Sequence, residues 1–165
     1  MRTDDRLEFE WLFRAAYPRI KRTVALVLRD HEAAEDVTQE AFLKLHQHWV
    51  TVSGFEQPDA WVRRVAIRLA VRQVKREQGL LRRLQRVSDP GPPSVYEPDV
   101  DLGNAIATLT PMQRAAVVLF YYDDLPVADI ARALVVSQST VKQHLHRARV
   151  RLAALLSEEV SERVD

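Results

Sequence analysis

The chain has 165 residues, enough for one domain or two small ones, and 47% hydrophobic content, enough for a packed core. It contains no cysteine, which excludes a disulfide framework, a thiol nucleophile and any cysteine-based zinc site. Its 24 Lys+Arg against 23 Asp+Glu leave a net charge of only +1, yet the signs are sorted: Ala60–Arg76 and Ile130–Ser157 carry basic side chains and no acidic ones.

Apolar spacing is helical almost throughout, without strand-type alternation, so an all-α fold is expected. Phe9, Leu12, Phe13 and Tyr17 mark a first helix that Pro18 is expected to break or restart, after which Ile20, Val24 and Val27 carry the apolar face toward Arg29. Asp30 is an expected N-cap for a helix that runs to about Trp49 and buries Ala34, Val37, Ala41 and Leu45. Thr51–Pro58 reads as a loop, and Asp59 as the cap of the basic helix that follows, with Val62, Ala66, Leu69 and Val74 on its core side. The periodicity fades after Leu84 into a stretch with Pro90, Pro92, Pro93 and Pro98. A flexible linker over 81–100 is therefore expected between helical domains at 1–80 and 101–165. In polyproline form it spans several tens of ångströms, at roughly 3 Å per residue.

Punctuation is sharper in the second half. Leu102, Ile106 and Leu109 suggest a short helix, and Thr110-Pro-Met-Gln113 has capping-box spacing with proline at the first helical position. The next helix is expected to continue through Tyr121, with a turn at Asp123-Asp124. Val127–Ala133, a turn at Leu134–Val136 and a Ser137-capped final helix then make a helix-turn-helix. No run of eighteen apolar residues exists, and Asp4, Asp5, Glu8 and Glu10 stand where a signal core would lie, so a soluble cytoplasmic protein is expected.

Three faces carry chemistry. On the last helix Val141, Leu145, Ala148 and Leu152 face inward, leaving Gln138, Ser139, Lys142, Gln143, His146 and Arg149 outward. Gln pairs bidentately with adenine, Lys with guanine, and Ser with several base edges; Arg147, Arg149 and Arg151 suit phosphates. On the earlier basic helix, Arg64, Arg68, Arg72 and Arg76 form an i,i+4 stripe whose mutual repulsion a phosphate backbone would offset. Phe55, in a glycine-containing loop, is placed to meet an unstacked base, whereas Trp49 and Trp61 read as core. The third face joins Asp36, Gln39, Glu40, Leu43 and Gln47, an acidic side with a stranded leucine that suits a basic protein helix. No catalytic motif emerges. His31-Glu32-Ala33-Ala34-Glu35 lacks the second histidine of a zincin, and His46/His48 and His144/His146 diverge on a helix, so neither metal nor cofactor is expected. An autonomous operator-binding repressor is the alternative, disfavoured because such proteins dimerise to match palindromes.

These segments resemble a known family. Glu35–Trp49 is similar to the "AEDLVQExFLxxW" segment (region 2.2) of bacterial RNA polymerase sigma factors, and Ala60–Ala70 to their region 2.4. Leu109–Leu119 and Ser137–Leu152 are similar to regions 4.1 and 4.2, and the absence of an intervening domain resembles the extracytoplasmic-function (ECF) group. The resemblance implies a non-enzymatic promoter-selectivity factor for core RNA polymerase. Asp36, Gln39, Glu40 and Leu43 would dock on the polymerase, the first three at positions that meet the β′ coiled coil, with the β subunit as a further contact. Phe55, Arg63, Arg64, Arg68, Arg72, Lys75 and Arg76 would bind and melt the −10 element. Gln138, Ser139, Thr140, Lys142, Gln143, His146, Arg147 and Arg149 would read the −35 element. The linker would thread through the polymerase, and an anti-sigma factor is admitted as a further partner. The chain departs from the family at Ile67-Arg68, where Arg-Asn is usual, and at Arg72, usually Asp, which implies firmer phosphate binding. In the helix-turn-helix, Leu134-Val-Val-Ser137 replaces a glycine-containing turn, and a rebuilt turn is expected because valine is strained in the left-handed region.

Overall fold

A computed structural model describes residues 3–85 and 102–162. Of the linker expected over 81–100, residues 81–85 instead continue the last helix of the N-terminal half, and residues 86–100 lie outside the described residues.

The N-terminal half packs α1 (Thr3–Leu28), α2 (His31–Gln47) and α4 (Pro58–Gln85) pairwise around a shared core, with a single turn, α3 (Trp49–Val52), between α2 and α4. Leu12, Ile20, Val24 and Val27 of α1 meet Val37, Ala41, Phe42 and Leu45 of α2 and Val62, Ala66, Ile67 and Ala70 of α4. Each fully buried leucine or isoleucine contributes about 1.5–3 kcal/mol. Pro18 does not break α1, contrary to expectation. It lies on the exposed side, so the carbonyl of Arg14 that it leaves unpaired also faces water, while Leu12 and Ile20 are buried on either side of it. Asp30 caps α2 as expected, its Oδ1 accepting from the backbone N–H of Glu32 at 2.9 Å and Ala33 at 3.0 Å. The expected Thr51–Pro58 loop is shorter: α3 claims Thr51 and Val52, and α4 starts at Pro58, which needs no N–H there. Asp59 consequently sits in the first turn of α4 and not at its cap.

In the C-terminal half, α5 (Leu102–Ala107) and α6 (Pro111–Val117) are joined through Thr110. The expected capping box is complete: Thr110 Oγ1 accepts from Gln113 N, and the Gln113 side chain accepts from Thr110 N at 3.2 Å. α6 widens into a π-helical turn (Val118–Tyr122) that ends at Asp123, and α7 (Val127–Leu134) and α8 (Gln138–Glu162) form the helix-turn-helix. The turn between them is not rebuilt. Val135 adopts φ 58°, ψ 50°, the left-handed geometry that the glycine-free sequence was expected to avoid. The N–H of Val136 donates to the carbonyl of Ala131 at 3.1 Å, a Schellman closure.

The two halves pack against each other. α4 meets α6 and α7, and α1 meets α6 and the π-helical turn. Arg114, 5% exposed, donates to the carbonyls of Ile106, Ala107 and Leu109 in its own half and, across the seam at 2.9 Å, to Val27 near the C-terminal end of α1. That is a cation on the negative end of a helix dipole. Burial, and then nearby Arg29, lower its proton affinity below the ordinary arginine value. Thr23 and Asp123, both buried, share a 2.8 Å hydrogen bond across the same seam. Among the described residues no helix is long and apolar enough to cross a membrane.

Candidate nucleic-acid and polymerase interfaces

On α8, Ser137 caps the helix by accepting from Thr140 N at 3.1 Å, and its hydroxyl also lies 2.9 Å from that of Ser139 and 2.7 Å from that of Thr140. Val141, Leu145 and Ala148 are buried against α6 and α7. Gln138, Ser139, Lys142, Gln143, His146, Arg147 and Arg149 are all exposed, and Thr140, half-buried, is engaged with the cap. His144 turns the other way, half-buried with Nδ1 lacking a hydrogen-bond partner, so the His144/His146 pair diverges as expected. Its proton affinity is lowered by burial and then by Arg147 and, from α4, Lys75.

On α4, Arg72, Lys75 and Arg76 are exposed, and Arg63 and Arg64 are half-buried. Arg68 is already engaged: Nε donates to Ala133 O at 3.2 Å and Nη2 to Arg132 O at 3.1 Å. These are end-of-helix carbonyls of α7 that the Schellman bond from Val136 leaves over. Phe55 stands 44% exposed after Gly54. Trp49 is buried edge-on against Phe9 with centroids 5.2 Å apart, and Trp61 is half-buried beside His48, so both tryptophans pack as expected.

On α2, Asp36, Gln39, Glu40 and Leu43 share an exposed face, with Leu43 57% exposed. Behind it Glu35 accepts from Tyr17 Oη at 2.6 Å and Gln39 Nε2 at 3.1 Å and pairs with Lys21. Lys21, then Tyr17 and Gln39, hold the Glu35 carboxyl down to about 2. Burial and then Glu35 push the Tyr17 phenol up to about 12. This cluster ties α1 to α2 and fixes one edge of the acidic face.

Sequence reasoning missed the seam residues Arg19, Thr23, Arg114 and Asp123. Arg114 left a signal, a lone cation within Pro111–Phe120; Thr23 and Asp123 left none, because a threonine in a helix and an aspartate in a turn are ordinary.

Residues 12–86 match the family model for sigma-70 region 2, and residues 99–152 the model for sigma-70 region 4. The chain is 31% identical over 156 residues to the ECF RNA polymerase sigma factor SigM of Mycobacterium tuberculosis, covering 92% of this chain and 79% of that one. It is 30% identical over 154 residues to the RNA polymerase sigma-E factor of Streptomyces antibioticus, covering 88% and 83%. Its fold is similar to that of the sigma factor RpoE solved in complex with the anti-sigma factor NepR from Bartonella quintana, with a TM-score of 0.66 and 23% identity over 91% of this chain and 97% of that one.

Proposed function

The chain belongs to the sigma-70 family of RNA polymerase sigma factors, in its extracytoplasmic-function group, whose activity is promoter-specific transcription initiation; on that premise we propose how its three faces divide the work. The exposed side of α8, from Gln138 to Arg149, reads the −35 element as closed duplex. Its N-terminal turn presents Gln, Ser and Lys to base edges, and its arginines further along meet phosphates. Phe55, with Arg63, Arg64, Arg68, Arg72, Lys75 and Arg76, takes the −10 element as it opens. Capturing an extruded base against Phe55 offsets an unstacking cost of a few kcal/mol. Asp36, Gln39, Glu40 and Leu43 dock on core polymerase, through the β′ coiled coil, with the β subunit as a further contact. The chain supplies binding and makes or breaks no bond itself. An anti-sigma factor, the kind of partner seen with the similarly folded Bartonella quintana protein, is a further partner.

The observation that carries this reading is the sorting of charge into two acid-free basic stretches, Ala60–Arg76 on α4 beside an exposed phenylalanine and Ile130–Ser157, which includes most of the helix-turn-helix recognition helix. Co-purification with core polymerase followed by in vitro transcription tests it. Wild type is expected to join core enzyme and start transcription at selected promoters. Asp36→Arg is expected to lose core binding with an unchanged circular dichroism spectrum. Tight binding to promoter duplex alone, with no association with core enzyme, would sink the reading in favour of an autonomous repressor.

A further inference from the structure

A cavity of about 600 Å³ lies where α1, the start of α2, α5 and the π-helical turn meet. None of the residues that line it belongs to α4, to α8 or to the acidic face of α2, so it lies outside all three faces that carry the proposed function. Its volume is that of a small-molecule site, roughly 300–1,000 Å³.

Its middle is apolar and its α1 edge is cationic at both ends. Arg22 and Arg29 are seven residues apart, about 10 Å along the helix direction, with Ala25 and Leu26 between them. Ile106 and Tyr122, the latter 47% exposed, line it from the C-terminal half. Lys21 adjoins Arg22 but is paired with Glu35, and His31 follows Arg29 at the start of α2. No acidic side chain lines the cavity among the described residues. Asp30, between Arg29 and His31 in sequence, is turned to the cap of α2. Arg22 and His31 make no side-chain hydrogen bond or ion pair among the described residues. Arg29 itself has φ 59°, the left-handed position that ends many helices and that glycine takes without strain, yet an arginine is held there. Its charge also acts on buried Arg114, adding to the effect of burial on that guanidinium, so an anion bound at Arg29 offsets a repulsion between two cations.

We propose that this cavity binds a nucleotide, its base on the apolar middle against Tyr122 and its phosphates along the α1 edge, held by Arg22, Arg29 and His31. Charge and shape choose this occupant over two simpler ones. A long-chain fatty acid calls for one cation and an enclosed apolar tunnel, whereas Arg22, Leu26, Arg29, His31 and Tyr122 are all exposed around an open mouth that carries three permanent cations and a histidine. Inorganic phosphate alone would leave Leu26, Ile106 and Tyr122 uncovered. Because the walls come from both halves, a bound nucleotide touches both and stabilises the folded chain as a whole.

Titration of the full chain with methylanthraniloyl-labelled ATP and GTP, read by the fluorescence of the label, tests the site. Saturable binding of at least one of them, displaced by the unlabelled nucleotide, is expected, with a Tm that rises with nucleotide concentration. Arg22→Glu is expected to weaken binding about tenfold or more. Tyr122→Ala is expected to weaken it about tenfold, within the range of a lost stacked base. His31→Glu puts an acid at the first position of α2, where the helix dipole favours it. That variant keeps the fold and is expected to weaken binding several-fold, which covers the case in which Arg22→Glu does not fold. Tripolyphosphate displacing the label as effectively as nucleotide would reduce the cavity to a simple anion site. Dodecanoate displacing it at lower concentration than nucleotide would assign the cavity to an apolar acid, and either result overturns the proposal. So would the lack of binding at about 1 mM nucleotide. Binding that Lys142→Ala or Arg72→Ala weakens and Arg22→Glu does not would place the nucleotide on the DNA-facing helices and overturn it equally.

Discussion

Val135 sits at 69% exposure in the left-handed region, at the turn on which the helix-turn-helix depends. A β-branched side chain there crowds its own backbone at a cost of about 1–2 kcal/mol. The Schellman bond from Val136 to Ala131 and the start of α8 at Ser137 dictate the geometry from both sides, so the residue accepts the strain. Val135→Gly removes the strain and loses little burial, though it adds freedom to the unfolded chain. A net gain of about 1 kcal/mol is expected, raising Tm by about 2–4 °C in a thermal melt; a Tm at or below wild type would show that the turn holds Val135 without strain. Arg29 and Asp124 also have positive φ, 59° and 55°, and Asp tolerates that region better than Val through local hydrogen bonding. The sequence disclosed the problem at Leu134–Ser137 but not its outcome, because the lengths and packing of α7 and α8 set the turn, not the turn residues.

At the scale of the element, most of the molecule was legible. Amphipathic period, Asp30, Ser137 and the Thr110 capping box are local signals acting within one helical turn, and the structure keeps them all. Where the reading failed, the cause was context. Pro18 carries a real cost, yet α1 continues because its buried face on both sides of the proline is anchored in the core. The basic faces of α4 and α8 were equally plain, since solvent leaves a one-signed stripe uncorrected and only sequence is needed to see it. Their proposed roles separate by experiment. Lys142→Ala or Gln143→Ala is expected to relax −35 sequence preference, at about 1–3 kcal/mol of discrimination for a lost base contact. Arg72→Ala is expected to weaken promoter binding evenly across sequences and lower the salt slope by about 1. Binding measured over a set of promoter variants and salt concentrations reads both, and a sequence-selective effect of Arg72→Ala would reverse the assignment.

The whole molecule adds a dependence on pH. His144 is half-buried on α8, within the field of Arg147 of its own helix and Lys75 of α4, so a proton there is opposed by burial and by two cations. A histidine whose folded value is depressed contributes stability that is complete above its ordinary value of 6.5 and is lost as pH falls through 6.5 toward the folded value. Because Lys75 belongs to the other half, the closed arrangement should bear part of that loss. Separation of labels on the two halves is expected to increase between about pH 7.5 and about pH 5.5, and His144→Gln to abolish the change; a wild-type separation that is constant over this range would refute it. The sequence by itself determined the helices, their caps, the helix-turn-helix and the sorting of charge, since each depends on side chains a few residues apart. Only the tertiary structure decided how the halves meet. Thr23 finds Asp123 100 residues away, and Arg68 finds Ala133 65 residues away through a backbone carbonyl. Every residue carries such a carbonyl, so nothing in the amino-acid order marks which one an arginine will take; the ends of packed helices choose it.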